Sequence, residues 1–278
     1  MANLITRARA IYNLNNRATT SDENTTLDAL LAAVSKAIEN YCWRTFANTS
    51  YDELYPGSDR RELVLRNYPS ISIERVAFGP TPVLRVANTS ASNQRATVKV
   101  TATGLELIRV ASGVSATSTI LFADQVTLTA LAAAVTALGN GWSASVGSAA
   151  DNLRASADLR ALQGAFNAKD QEAELKLHTG ELSSFLVDAE RGCLTRADGA
   201  CWNGGVHYWR VLYRAGYNAV PDDVQEACAQ WVAQLFWQTK RDLGMSSESI
   251  PGTVSRVALR DMPASVQLLL APYRNWRV

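Results

Sequence analysis

The sequence predicts an α+β fold with a separate unit set into its middle. Three observations carry this. Apolar residues recur at helical spacing near both ends of the chain, over Leu27–Tyr41 and Val224–Trp237. Short alternating stretches bounded by turn residues lie beside each of them. Between them the composition changes: from Pro82 to about Gly180 the chain is rich in Ala, Thr, Ser and Val and poor in aromatics. The expected division is a discontinuous core, 1–82 plus 181–278, and an inserted α/β domain, 83–180, whose two ends must lie close together. A length of 278 residues suits about two domains.

Residues 1–24 are polar and irregular and read as an arm or a loosely held first element. Thr25 offers an N-cap with Asp28 three residues on, and Leu27, Leu30, Leu31, Val34, Ile38 and Tyr41 follow as one helix face. Tyr51–Tyr55 and Glu62–Arg66 read as strands around a Pro-Gly-Ser-Asp turn. Leu63 and Leu65 share one face and Val64 takes the other. Ile71 and Ile73 alternate in a third short strand.

The middle segment reads β-β-β-α-β. Val98–Val100 and Leu105–Leu107 form a hairpin around Thr103-Gly104, and Thr119–Phe122 is the next strand. Leu128, Leu131, Val135 and Leu138 line a helix that Gly139-Asn140-Gly141 stops, and Trp142–Val146 closes the unit. A second short helix is expected over 157–166.

Aromatics return after residue 180. Phe185–Val187 is a short strand, and 206–214 is the strongest strand signal in the chain. His207, Trp209, Val211 and Tyr213 are expected on one face of it, and Tyr208, Arg210, Leu212 and Arg214 on the other. Pro221 sits at a helix start with Asp222 and Asp223 in the first turn, favourable to the helix dipole. The helix over 222–241 is apolar nearly all round. Gln230, Gln234 and Gln238 make its thin polar stripe, so it needs cover on more than one side. Residues 246–278 form a punctuated tail carrying Arg256, Arg260, Arg274 and Arg277 beside Tyr273 and Trp276.

Hydrophobic residues are 47% and charged residues 19%, enough apolar material for a core. A net charge of +1 gives no bulk electrostatic case for wrapping nucleic acid. Cysteines at 42, 193, 201 and 228 form no Cys-x-x-Cys pair and read as reduced thiols of a cytosolic product. The N-terminus has no signal-peptide run, and Val126–Leu138 is short of the roughly 20 residues a bilayer span needs, so no membrane is expected.

The search for chemistry finds no phosphate loop, dinucleotide fingerprint, nucleophile elbow or His-Glu-x-x-His. No catalytic residue, cofactor or metal is expected, and the chain is not read as an enzyme. His178, in LKLHTGE, reads as exposed, and His207 as a packed strand residue. The carboxylate pairs Asp52-Glu53, Asp222-Asp223 and Asp188/Glu190 have bland accounts at a strand edge, a helix start and a turn. A hydrolase built on such a pair is the remote alternative. The Arg210/Arg214 face beside Tyr208 has three readings: a single-strand nucleic-acid surface, a solvated sheet face, or a face packed on a neighbouring subunit, the last preferred. The tail arginines and aromatics suit docking to a partner or folding back on the core.

One resemblance orders these pieces. Ile38–Phe46 (IENYCWRTF), Tyr51–Gly57 (YDELYPG), Leu63–Pro69 (LVLRNYP), Val211–Tyr217 (VLYRAGY) and Val220–Val224 (VPDDV), running into an Ala-Cys helix, resemble in that order the tailed-phage head–tail connector proteins, also called adaptor or head-completion proteins. The likeness covers about 1–80 and 183–245. Compact members of that family lack the segment 83–180. The resemblance implies a mostly helical connector core with a small β-sheet. It also implies a twelve-subunit homo-oligomeric ring in the virion neck, assembled from host cytoplasm. The ring would bind the portal protein and a downstream neck or tail protein, and viral DNA would pass through its channel on ejection without sequence-specific binding. On this basis Arg256, Arg260, Tyr273, Arg274, Trp276 and Arg277 are expected to dock the portal. Tyr208, Arg210, Arg214, Trp231 and Trp237 are expected to meet ring neighbours. The inserted domain would decorate the ring, contact capsid or tail, or bridge subunits. The alternatives are a ligand- or receptor-binding tail component using the insert, and another neck ring, a stopper or tail terminator.

Overall fold

The computed structural model describes residues 3–160, 164–239, 247–250, 253–256 and 262–275. In chain order the elements are α1 (Arg7–Tyr12), α2 (Ser21–Cys42), β1 (Thr49–Tyr55), β2 (Glu62–Val64), β3 (Ser70–Asn88), β4 (Asn93–Val100), β5 (Gly104–Ala111) and β6 (Val114–Leu121). Next come α3 (Leu128–Ala137), β7 (Trp142–Val146), β8 (Phe166–Asn167), β9 (Ala173–Glu181), β10 (Phe185–Asp188), β11 (Cys193–Arg196) and β12 (Trp209–Ala215). The last are α4 (Asp222–Thr239), β13 (Ser247–Ile250), β14 (Thr253–Arg256) and α5 (Ala264–Leu270).

The expectation of a mostly helical core is wrong. Helix makes up 29% and strand 36%, in antiparallel sheets. The reason is β3. Instead of the short strand read around Ile71 and Ile73, it runs 19 residues. One of its edges takes β12 and then β7, the other takes β9, and β1 pairs β12 beyond. The strand passes straight through the composition change at residue 80. Pro80 and Pro82 lack an N–H, and they fall where only β9 pairs with β3, between the ends of the β12 and β7 ladders. A second sheet has the order β6-β5-β4-β8 and a third β10-β11-β2. The strands read on either side of the Pro-Gly-Ser-Asp turn therefore join different sheets, β1 against β12 and β2 against β11. Leu63 and Leu65 are buried and Val64 exposed, as their alternation predicts.

Among the described residues, three apolar clusters form the core. One is formed by side chains between Val83 and Leu177, with α3 burying Leu128, Leu131, Ala132 and Val135. Another joins residues of the β1-β12-β3 sheet to Leu63 and Leu194 of the β10-β11-β2 sheet around Trp202, Trp209, Val211 and Tyr213. The last is helical. Here α4 buries Val224, Ala227, Cys228, Val232 and Phe236 against Leu27, Leu31, Val34 and Ile38 of α2. Val266 and Leu270 of α5 join it, as do Leu4, Ile5, Ala10 and Leu14 from the N-terminal residues. The chain itself thus covers α4 on several sides.

Of the two readings of the N-terminal segment, a first element is the one found: α1 forms there, and Leu4, Ile5, Ala10 and Leu14 are packed into the core. The Ser35 hydroxyl accepts the Leu4 N–H at 3.0 Å. The N-cap of α2 lies five residues before the expected one. Thr20 and Glu23 form a reciprocal capping box, with Glu23 N–H to Thr20 Oγ1 at 3.3 Å and Thr20 N–H to Glu23 Oε2 at 3.1 Å. The Thr25 hydroxyl donates back to the Ser21 carbonyl inside the helix. The expected helix over 157–166 is absent among the described residues. A single 3-10 turn spans Ser156–Asp158, Phe166 already belongs to β8, and 161–163 lie outside the described residues.

Candidate assembly surfaces

Residues from three of the five stretches that carry the resemblance, Ile38–Phe46, Leu63–Pro69 and Val211–Tyr217, meet at one joint between sheet and helices. Trp43 ends α2 in the left-handed conformation (φ 53°), with its own N–H on the Asn40 carbonyl and the Arg44 N–H on the Glu39 carbonyl. That turn aims Phe46 at Tyr217, ring centroids 6.0 Å apart and stacked, and Tyr273 closes edge-on at 5.9 Å. The Tyr217 N–H donates to the Phe46 carbonyl at 3.0 Å. Gly216 (φ 112°) donates to the Pro69 carbonyl at 2.9 Å, and a Cβ there would stand 2.3 Å from the Ala47 carbonyl oxygen. The Arg44 guanidinium lies 4.5 Å over the Tyr68 ring and donates to the Tyr217 hydroxyl at 3.3 Å. Asn275 completes the joint, its N–H on the Cys42 carbonyl and its Oδ1 accepting from the Tyr68 hydroxyl.

A second knot sits on the same sheet. Adjacent strand residues point to opposite faces, and Asp52 and Glu53 do so in β1. Glu53 accepts from the hydroxyls of Tyr55 and Tyr213 and from the Asn67 amide at 3.2 Å. Burial pushes the Tyr213 phenol up to about 12 and raises Tyr55 further, so both stay protonated donors.

Asp52 faces Arg210, which is 2% exposed. Arg210 grips Asp52 bidentately, 2.9 Å on both bonds, and also reaches Asp158 Oδ1 at 3.2 Å and the Asp158 carbonyl at 3.1 Å. Arg75 reaches the other Asp158 oxygen at 3.2 Å, and Arg160 contacts Asp52. Asp158 and Arg160 lie in the middle segment between β7 and β8, so this cluster clasps that segment to the β1-β12-β3 sheet. Asp158 and Arg75 were not singled out in the sequence. Arg75 stands opposite Leu212 on the neighbouring strand, a register that alternation alone does not give.

His178 corrects its sequence reading outright: it is fully buried in β9 rather than exposed. LKLHTGE alternates, with Leu175 and Leu177 buried, and the polar residues between them hid the strand. His178 Nε2 lies 2.8 Å from the His207 carbonyl, which can only accept, so the proton is on Nε2. Nδ1 is buried without a partner among the described residues. Burial lowers the His178 pKa, and the nearby Arg210, Arg160 and Arg75 lower it further. His207 itself stands outside the strand at φ 54°.

Among the residues expected to meet neighbours, Arg210 is interior. Tyr208 is half-buried against Phe78 and Trp209, and Arg214 is exposed on β12. Trp237 is 43% exposed with the Arg17 guanidinium over its ring, and Trp231 is half-buried with its indole N–H unpaired among the described residues. Among the expected docking residues, Tyr273 packs on Phe46 and Tyr217, and Arg274 lies over Tyr41 at 5.1 Å. Arg256 ends β14. Arg260, Trp276 and Arg277 lie outside the described residues. Sequence reading also missed the exposed Trp43, which with Lys36, Glu39 and Arg44 rims an open depression of about 490 Å³ beside the joint.

All four cysteines are free. No helix among the described residues is long and apolar enough to cross a membrane, and those residues hold no group of three or more metal-ligating side chains. No family model and no curated protein matches the chain. Among solved structures the chain is similar to one described as the neck of an empty GTA particle computed with C6 symmetry, at 15% identity and a TM-score of 0.42, over 99% of this chain and 91% of that one. At that score the likeness carries no argument about function.

Proposed function

We propose that the chain is a structural virion protein of the phage neck, a head–tail adaptor that assembles as a homo-oligomeric ring. On this reading twelve copies surround the DNA channel between the portal and a downstream neck or tail protein. The observation that carries it is the joint. Phe46, Pro69, Gly216 and Tyr217 come from three separate motifs of the resemblance, and they converge on one contact set. A shared order of weak motifs gains weight when their residues touch, because the set then describes one packing solution.

Residues 83–180 act as an inserted domain with its own apolar cluster, joined to the 1–82 plus 181–278 core through β3 and the Arg210 clasp. Tyr208, Arg214, Trp231 and Trp237 supply the ring contacts, while Arg210 supports their sheet from within. The tail 246–278 docks the portal through Arg256, Arg260, Trp276 and Arg277, with Tyr273 and Arg274 anchoring it to the core.

The test is native mass spectrometry over a concentration series, alone and with the cognate portal. A closed oligomer, alone or on the portal, supports the ring and counts its subunits. A monomer at every concentration that ignores the portal removes the reading.

A further inference from the structure

Strand β6 is the outer edge of the β6-β5-β4-β8 sheet, and no strand pairs with its outer side among the described residues. Its eight residues, VSATSTIL, contain no charge and no proline. The β5–β6 register runs unbroken from Gly104↔Leu121 to Ala111↔Val114 with no bulge. Natural edge strands are ordinarily blunted by lysine, proline, a bulge or a covering element, because free N–H and C=O groups template another strand. None of the first three is present here.

The direction of the free groups can be read from the ladder. Phe122, just past β6, donates its N–H to the Thr103 carbonyl across the hairpin at 2.9 Å. Backbone groups alternate along a strand. Even-numbered residues of β6 therefore face β5, and Ser115, Thr117 and Thr119 present their N–H and C=O groups outward. The same three side chains are exposed. The hairpin turn Ser112-Gly113 has positive φ at both residues, which matches the strand twist and holds the edge straight to its end.

We propose that β6 pairs antiparallel with β6 of a second copy of this chain, about a two-fold axis at Thr117. The edge is complementary to itself. In that register Thr117 faces Thr117 of the second copy, and Ser115 faces its Thr119, giving hydroxyl pairs of the kind that stabilise neighbouring strands. On the other face Val114, 69% exposed, comes opposite Ile120 of the second copy, 8% exposed. No like charges meet. The product is one continuous sheet running from β8 of one copy to β8 of the other, and the middle segment becomes a contact between copies.

Two variants of the full chain test this. Thr117→Cys places two thiols face to face, so mild oxidation should give a covalent dimer on a non-reducing gel. Ser115→Cys, which faces Thr119 rather than itself, should give several-fold less, and wild type should give none beyond what half-buried Cys201 contributes. Thr117→Pro removes an N–H that points away from β5, so the native ladder survives while the pairing is lost, and the native mass should halve. If Thr117→Cys cross-links no better than Ser115→Cys, or Thr117→Pro leaves association unchanged, the pairing is wrong. Ring assembly is judged separately, from the subunit count of the Thr117→Pro protein.

Discussion

The Tyr213 hydroxyl donates to a Glu53 carboxylate oxygen at 2.7 Å and accepts the Asn67 backbone N–H at 3.3 Å. One phenol thus ties β1, β12 and the chain leading into β3. Tyr213 is fully buried. Tyr213→Phe keeps the ring and leaves Glu53 and the Asn67 N–H each one partner short. A buried polar group stripped of its partner costs about 1–3 kcal/mol. Tyr55 still serves Glu53, so a loss of about 1–2 kcal/mol is expected. The check is a lower urea midpoint at unchanged slope.

Arg210→Met tests the clasp. Removing one member of a buried ion cluster costs about 3–5 kcal/mol when the remaining charges are fully buried. Here Asp52 and Asp158 keep about a third of their side-chain exposure, 32% and 30%, so water takes up part of the loss. About 2 kcal/mol is expected. Limited proteolysis should also cut within 150–165 sooner than in wild type. Equal proteolysis would show that Arg210 does not hold the middle segment.

His178 sets a pH dependence. Its pKa is lowered by burial and then by Arg210, Arg160 and Arg75, while the unfolded chain titrates near the ordinary 6.5. Below that value the unfolded state binds the proton that the folded state refuses. Stability should be full above about pH 6.5 and fall as the pH drops below it. His178→Gln should flatten that fall in urea titrations between about pH 7.5 and 5. A wild-type slope retained in the variant would assign the titration elsewhere.

The start of α2 separates what the sequence showed from what it hid. Leu27, Leu31, Val34 and Ile38 were legible because their spacing is helical whatever surrounds them. The cap was misplaced because Thr25 stood nearer the first leucine, although at the same three-residue spacing Thr20 has the glutamate a capping box prefers, Glu23, and Thr25 only Asp28. Thr20→Ala should cost about 1 kcal/mol and Thr25→Ala close to nothing. Equal effects would mean that the reciprocal box is not formed in solution.

The sheet was harder to read for a related reason. Alternation identifies a strand but not its partner, and β3 hid behind two prolines that only its pairing pattern explains. The candidate site was legible in part. The order of Phe46, Gly216 and Tyr217 along the chain is visible in the sequence, and their contact needs the fold. Arg210 could not be placed, because a strand face tells which residues share a side and not what covers it.

What covers α4 decides the last prediction. Its apolar circumference suggested neighbouring subunits, yet α5 already lies on it and buries Val266 and Leu270 completely. The residues of α5 therefore serve the core before they serve any partner. Leu270→Ala removes a fully buried leucine from a helix of two turns, and such changes cost about 2–5 kcal/mol. The expected value lies toward the low end, near 2–3 kcal/mol, because a short helix can settle into the gap. Leu268→Ala, on the 76% exposed side of the same helix, should be nearly neutral. Urea midpoints of the two variants check this directly. If both are neutral, α5 does not pack as described, and α4 would again need a neighbouring subunit for its cover.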